Sequence, residues 1–327
     1  MKHVSILIPT GDCSVVNIMG SFQLLTAANG MHTQQTGYPL LQIDLVAFSD
    51  QDTSKPGTAY VRPTKYFDAV DHTDVIIIPA VHNEPEVAIT NNSSLISFIE
   101  NQYKKGATLA SLCVGSYLLA ATGLLNGKIC STHWLHAKSL QDMFPEVLVK
   151  EERMITDQQG IITSGGAYAF TNLILYLVEK LAGREIAVMI SKTFMIDPNR
   201  TTQSVYAMFK GVKEHADPVV TQIQNYIEEK FNEKFTIDQL AQQHHLVRRT
   251  LERRFKSAIG HSIISYTQQV RIEAAKKYLE RGRKSITEVM YDCGYSDTKA
   301  FRDVFKKLVG ISPLEYRQKY IKEPERI

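Results

Sequence analysis

Short apolar, β-branched runs punctuate the N-terminal part of the chain: Val4–Pro9, Ile43–Phe48, Val75–Pro79, Thr108–Cys113 and Gly160–Thr163. Longer stretches of helical periodicity lie between them, such as Leu95–Lys105 and Tyr168–Leu181. The runs are continuous rather than alternating, which is the pattern of strands buried on both faces. Strands and helices in alternation predict an α/β fold, a parallel sheet with helices on both faces. After Lys213 the strand signal disappears. Glu214-His215-Ala216-Asp217-Pro218 sets Asp before Pro at a helix start, and all beyond it reads helical. A domain boundary is expected there.

The helical part repeats itself. Leu251, Phe255, Gly260, Ser262 and Tyr266 recur fifty residues later as Phe301, Phe305, Gly310, Ser312 and Tyr316. Upstream the match needs a one-residue slip, pairing Leu240-Ala241 with Val289-Met290. Each copy predicts a short helix, a turn and a second helix: Ile237–Gln243 with Val247–Ser257, then Ile286–Asp292 with Asp297–Leu308. Cys293-Gly294-Tyr295 forms the second turn, and Ser296 is the expected N-cap. Residues four apart share a helix face, so Leu251 and Phe255 are buried together, as are Phe301 and Phe305. The opposite faces carry Arg249, Glu252, Arg253 and Lys256, and Lys299, Arg302, Asp303 and Lys306. Arg248 and Thr298 at the helix starts complete the expected DNA-facing set. A major groove admits one α-helix, and side chains of this kind read its base edges. A solvated bundle face explains one such helix; two in register favour a reader of double-stranded DNA.

Charge changes the picture in the same direction. The net charge is +3, but residues 218–327 hold 21 Lys+Arg against 14 Asp+Glu, and residues 1–217 hold 16 against 20. A basic third on an acidic body fits a polyanion partner and equally a solvated helical surface. Hydrophobic content of 44% with 22% charged residues is that of an ordinary globular protein. No run is long enough to span a bilayer, and Val4–Pro9 is too short for a signal-peptide core. Cys13, Cys113, Cys130 and Cys293 lie far apart without metal-binding spacing, so neither a metal nor a disulfide framework is expected, and a cytoplasmic setting is.

Residues 222–320 resemble the C-terminal domain of the AraC/XylS family of transcription activators. The second copy carries most of the likeness, in Ile286-Thr287-Glu288-Val289, Gly294-Tyr295-Ser296-Asp297, Phe301, Phe305-Lys306-Lys307, Gly310-Ile311-Ser312-Pro313 and Tyr316-Arg317. The resemblance implies an all-α domain of seven helices, with two helix-turn-helix motifs joined by a long helix at about Ile263–Leu279. It implies that Arg249, Glu252, Arg253, Lys299, Arg302 and Asp303 face DNA. Asp303 stands where the family usually has Arg, Met290 where a small residue is customary, Ile263 where Pro is, and Val247 where a capping Ser is.

In the N-terminal part, Thr108–Leu112 reads as a buried strand that ends at Cys113, followed by a helix from Val114-Gly115-Ser116 through Ala121. A nucleophile at such a turn projects above the sheet, and the helix N-terminus is expected to lower its thiol pKa. The run from Cys113 through Gly123-Leu124-Leu125-Asn126-Gly127, Thr132-His133-Trp134, Thr163-Ser164-Gly165-Gly166 and Gly183 to Asp197-Pro198 and Gln203 resembles the DJ-1/PfpI (class I glutamine amidotransferase-like) family. That resemblance implies a flavodoxin-like parallel sheet. It departs from the family's proteases, which carry His after the Cys where this chain has Val114. It departs also from members with a carboxylate near the first strand's end, where Asn17 stands. Pro79-Ala80 lacks the glycine usual in the oxyanion loop. Cysteine hydrolysis needs a base beside the thiol and a group to orient it. The expected role is therefore a ligand pocket rather than catalysis, formed by Asn17, Cys113, Val114, His133, Trp134 and Gly165, with Trp134 as an aromatic wall or as ordinary core.

Together these readings predict a sensor and dimerisation domain (1–213), a linker (214–221) and a double helix-turn-helix DNA-binding domain (222–320). The expected function is transcription regulation in response to a small-molecule effector, by a homodimer that also meets RNA polymerase, with no cofactor and no membrane. The alternative is a Cys113-dependent hydrolase or hydratase with an accessory DNA-binding domain.

Overall fold

The computed structural model describes residues 1–48, 61–211, 213 and 215–321. Glu214, within the expected helix start, and residues 322–327, at the end of the basic third, lie outside the described residues. The chain divides into two compact units, 1–203 and 204–327.

The first unit runs β1 (Lys2–Ile8), α1 (Val15–Thr36), β2 (Leu41–Ala47), β3 (Lys65–Tyr66), β4 (Val75–Ile78), α2 (Pro85–Asn91), α3 (Ser93–Lys104), β5 (Thr108–Ser111) and α4 (Ser116–Ala121). It continues through β6 (Ile129–Cys130), α5 (Ala137–Met143), β7 (Leu148–Val149), β8 (Ile155–Gln158), β9 (Ile161–Ser164), α6 (Ala169–Ala182) and α7 (Arg184–Thr193). Among the described residues, seven strands form one sheet in the order β3-β2-β1-β4-β5-β9-β8. Its pairings are parallel except for the edge strand β8, which runs antiparallel to β9. β6 and β7 make a separate parallel pair.

Side chains alternate across each strand. Val4, Ile6 and Ile8 enter one core with Ile18 and Leu25 of α1, Leu173 and Leu177 of α6, and Ile186 of α7. Leu7, Ile76 and Ile78 enter the other with Leu95 and Ile99 of α3, Leu118 of α4 and Leu140 of α5. The strands are apolar throughout because both faces are covered. This is the expected α/β architecture.

The second unit holds α8 (Pro218–Glu229), α9 (Ile237–Gln243), α10 (Arg248–Ile259), α11 (Ile263–Arg281), α12 (Ile286–Asp292), α13 (Thr298–Val309) and α14 (Pro313–Tyr320). These are the seven expected helices among the described residues. Each repeat has its own core: Leu251, Phe255 and Tyr266 with α8 and α9, then Phe301, Phe305 and Tyr316 with α12. α11 serves both, giving Ile263 and Tyr266 to the first and Ile272, Ala275 and Leu279 to the second.

Local chemistry fixes the helix ends. Asp217 caps α8 by accepting from the Val219 and Val220 amides, with Pro218 in the first turn. Thr236 with Gln239, Ser285 with Glu288 and Ser312 with Glu315 form reciprocal capping boxes on α9, α12 and α14. The cap of α13 differs from expectation. Asp297, not Ser296, accepts from the Ala300 amide at 2.6 Å, because its carboxylate lies three residues ahead of that donor. Gly260 and Gly310 close α10 and α13 in the left-handed region, φ +80° and +87°, where a side chain would be strained.

The segment after Gln203 packs on the helical unit, upstream of the boundary expected near residue 215. Val205 is buried in the second core, and the Phe209 ring meets Tyr266 edge-on at 5.3 Å. Isolated apolar residues in a polar stretch gave no periodic signal to mark this docking.

Candidate functional site

The two repeats present their second helices in the same way. Leu251 and Phe255 of α10 and Phe301 and Phe305 of α13 are all 0% exposed, which orients the opposite faces to solvent. Arg248, Arg249, Arg253 and Lys256 of α10 are exposed, and Glu252 is half-buried. On α13, Thr298, Lys299, Arg302, Asp303 and Lys306 are all exposed. Arg249, Arg253, Lys256, Lys299, Arg302 and Lys306 make no ion pair among the described residues. Arg248 does: it reaches Asp238 at 3.1 Å and Glu252 at 3.3 Å. These carboxylates offset part of its charge, so Arg248 is held along the surface while its neighbours are free.

Two further arginines, on other faces, place these helices. Arg254 makes a fork to Asp217 at 2.8 and 2.9 Å, tying α10 to the start of α8. This is a bidentate pair. Arg271, in the middle of α11, donates to the carbonyls of Phe231 at 2.7 Å and Glu233 at 3.0 Å. Neither residue stands out in sequence, because an arginine on a helix of this composition looks like any solvated base.

At the carboxyl ends of β1, β4, β5 and β9 the structure gathers the residues of the expected pocket. Cys113 has φ +54° in a single 3-10 turn, Cys113–Gly115, which precedes α4. The expected helix from Val114 therefore begins as this tighter turn. For a residue with a side chain such a φ costs on the order of 1–3 kcal/mol, and strain of this kind gathers at functional sites. Gly115 is required by close approach, since a Cβ there would stand 2.6 Å from the Pro79 carbonyl oxygen. The backbone amides of Ala167 and Val114 serve the Cys113 sulfur. Ala167 itself has φ +44°.

The expected lowering of the Cys113 thiol pKa is not what the structure gives. Burial pushes it up, and the two backbone hydrogen bonds only partly oppose that. With 7% of the residue exposed, the cost of desolvating a thiolate outweighs the short helix. The thiol is held protonated.

Around Cys113 the hydrogen bonds are largely internal. The Thr132 hydroxyl donates to the Cys113 carbonyl at 3.2 Å and accepts from Ser116 at 2.8 Å. His133 Nδ1 accepts the Leu135 amide at 3.1 Å, capping the Trp134–His136 turn. Its ring lies against Gly166, where a Cβ would stand 2.2 Å away. Burial, and next the neighbouring His136, lower the His133 pKa and keep the imidazole neutral. His136, 6.0 Å from His133 between ring centres, is a second imidazole that sequence spacing had not associated with the site. Trp134 is half-buried, 5.5 Å from the His133 ring.

Asn17 and Gly165 have structural partners. The Asn17 amide oxygen accepts the Ala80 N–H at 3.2 Å, and the residue is 4% exposed. Gly165 leaves room for Gln203, whose Oε1 would be 2.6 Å from an added Cβ. Gln203 accepts from the Gly166 amide at 3.0 Å and donates to the carbonyls of Thr132 at 2.7 Å and Glu151 at 2.8 Å. Gln203 is thus the polar staple of the site, and only its place in the family resemblance had marked it. The backbone donors of Ala167 had no side-chain signature at all.

Comparison with known proteins places these features together. The model of the DJ-1/PfpI family matches residues 15–180, and that of a helix-turn-helix domain matches residues 240–319. GbdR, an HTH-type transcriptional regulator of Pseudomonas aeruginosa, is 30% identical over 224 residues, covering 68% of this chain and 61% of its own. The match thus spans less than two thirds of that relative. ArgR, an HTH-type transcriptional regulator of the same species, is 25% identical over 300 residues, covering 90% of this chain and 87% of its own. The solved structure of an AraC family transcriptional regulator from Pseudomonas putida shares the fold, with a TM-score of 0.51 at 16% identity over 59% of this chain and 100% of that one. The sheet, the strained cysteine turn and the paired helix-turn-helix motifs carry one conclusion: the chain belongs to the DJ-1/PfpI family and joins to that domain a C-terminal helix-turn-helix domain of the AraC type.

Proposed function

We propose that the protein is a sequence-specific DNA-binding transcription regulator in which α10 and α13 enter successive major-groove segments of one duplex. The observation that carries this reading is the repeat of two helices that each end in a left-handed glycine and carry unpaired cations opposite a buried apolar seam. The names of the relatives, HTH-type transcriptional regulators, agree with it. The helical unit after Gln203 forms the DNA-binding domain, with both helix-turn-helix motifs inside 222–320, and residues 1–203 form the sensor; the segment expected as a linker, 214–221, runs into α8. The sensor binds a small metabolite at the carboxyl ends of the strands, where open parallel sheets place their ligands. Cys113, Val114, His133 and Trp134 line that site, with Asn17 and Gly165 supporting it. The sensor domain also supplies the contacts of a homodimer, RNA polymerase is a further partner, and the protein works in the cytoplasm.

The site is not catalytic in this reading. Val114 follows the thiol, the Asn17 amide is committed to Ala80, and burial keeps Cys113 protonated. The alternative, a Cys113-dependent hydrolase or hydratase, requires a base and a carboxylate orienting it.

Hydroxyl-radical footprinting of the full chain on a duplex selected from random sequence tests the main reading. Two protected groove segments per chain, about one helical turn or roughly 10 bp apart on one face, are expected. Protection of a single segment per chain would sink it.

A further inference from the structure

We infer that Arg271, together with Gly294 and Tyr295, forms a clasp that locks the two helix-turn-helix motifs at one separation and thereby fixes the DNA spacing they accept. The inference rests on the DNA-binding reading above and adds to it the element that sets the spacing.

A single helix joins the motifs. α11 has 19 residues, about 28 Å at the rise of an α-helix. One helical connection leaves bending and twisting open, since long helices curve and flex. A second attachment away from the helix axis removes that freedom. The clasp is such an attachment, and it joins two loops that sequence separates widely.

On the first motif it grips the loop between α8 and α9. The Arg271 guanidinium donates through Nε to the Phe231 carbonyl at 2.7 Å and through Nη2 to the Glu233 carbonyl at 3.0 Å. On the second motif it meets the turn between α12 and α13, with its Cζ 5.5 Å from the centre of the Tyr295 ring. The backbones meet directly between these contacts. Gly294 has φ +77°, and a Cβ there would stand 2.8 Å from the Asn232 carbonyl oxygen and 3.1 Å from Arg271 Cζ. Only glycine fits both the conformation and the gap. Tyr295 in turn packs on Phe301 at 5.4 Å, so the clasp connects to the buried seam of α13.

Two carbonyl acceptors and an aromatic face replace the water lost by a half-buried guanidinium. A lysine offers neither the fork nor the flat face. Arg271 is a positioning residue in this account: it acts on DNA only through the helices it holds.

The test uses the full chain and duplexes carrying the two sequence blocks selected by the wild-type protein, with one base pair inserted or removed between them. The wild type should lose about tenfold in affinity at either altered spacing, comparable to a mismatched base pair. Arg271→Ala and Arg271→Lys should both flatten this penalty to less than about threefold, with base preferences inside each block unchanged. Loss in Arg271→Lys separates the fork from charge alone. Tyr295→Phe, which keeps the ring, should retain the wild-type penalty. If the Arg271 variants fail to fold, Gly294→Ala reads the same contact. Variants that keep the wild-type spacing penalty, whatever their thermal stability, overturn the clasp and leave the proposed function standing. Failure of the wild type to select any sequence overturns the proposed function, and the clasp with it.

Discussion

The Tyr266 hydroxyl donates to Glu228 at 2.5 Å, and one repeat later Tyr316 donates to Glu280 at 2.6 Å. Each glutamate is the last residue but one of the helix that opens its repeat, α8 or α11. Each tyrosine also meets a phenylalanine of the motif's second helix edge-on, Phe255 at 5.5 Å and Phe305 at 5.6 Å. The sequence repeat is thus a repeat of bonding, in which a tyrosine ties the helix that precedes each motif to that motif's second helix.

This bonding sets unequal costs. Tyr266→Phe should lower unfolding stability by about 3 kcal/mol and Tyr316→Phe by about 1.5 kcal/mol, the two ends of the range for hydrogen bonds to charged groups. Tyr266 is the costlier because its oxygen also accepts from the buried Gln224. Urea unfolding of the two variants measures the order; equal or reversed losses would contradict it.

Arginines on the same helix should differ in their effect on DNA. Arg253→Ala should weaken binding to the selected duplex by about 1–3 kcal/mol if it reads a base. Arg248→Ala should cost less, since Asp238 and Glu252 already hold that guanidinium. Fluorescence anisotropy at fixed salt compares them, and a larger loss at Arg248 would reverse the assignment.

Asp44 gives the N-terminal unit an acid limit. Burial alone would raise its pKa, but hydrogen bonds from Lys65, His3, Thr64 and Gln42 outweigh burial and hold it at about 2. The folded value lies below the unfolded one. The stabilisation is therefore complete above about pH 4 and disappears as pH falls through 2, an effect of about 2 kcal/mol. Asp44→Asn should destabilise at pH 7 and flatten the stability curve below pH 4. A variant with the wild-type acid profile would refute this.

The cysteines set a limit on the alkaline side. Burial raises Cys13 to about 11 and Cys130 and Cys293 to about 12, and moves Cys113 in the same direction. With folded values above the unfolded ones, their contribution is complete below about pH 8 and is lost as pH rises through the folded values. At pH 8 the folded protein should react with iodoacetamide far more slowly than the protein unfolded in guanidinium chloride. A rapidly alkylated Cys113 in the folded chain would show a thiolate that the geometry does not favour.

Turnover decides between sensor and enzyme. Rates with amide, ester, peptide and isocyanide panels should be the same for the wild type and Cys113→Ala. A Cys113-dependent rate near 1 s⁻¹, the low end of ordinary enzymes, would promote the hydrolase.

The amino-acid sequence by itself determined the elements and their class. Val75–Ile78 is apolar at every position because both faces of β4 are covered, and Phe255 and Phe305 recur because each seats the second helix of its motif. Such patterns are local, with periods of two or 3.6 residues, and so are visible along the chain. The tertiary structure decided what depends on distant neighbours. Helix position alone suggested a reactive Cys113, but burial by residues remote in sequence reversed the direction of its pKa. Gln203 became the staple of the site only when folding brought it beside Gly166 and Thr132. Arg271 could have been any solvated base until the fold set Phe231, Glu233 and Tyr295 around it. Desolvation and hydrogen-bond partnership are properties of a surrounding shell, and that shell exists only once the chain has closed on itself.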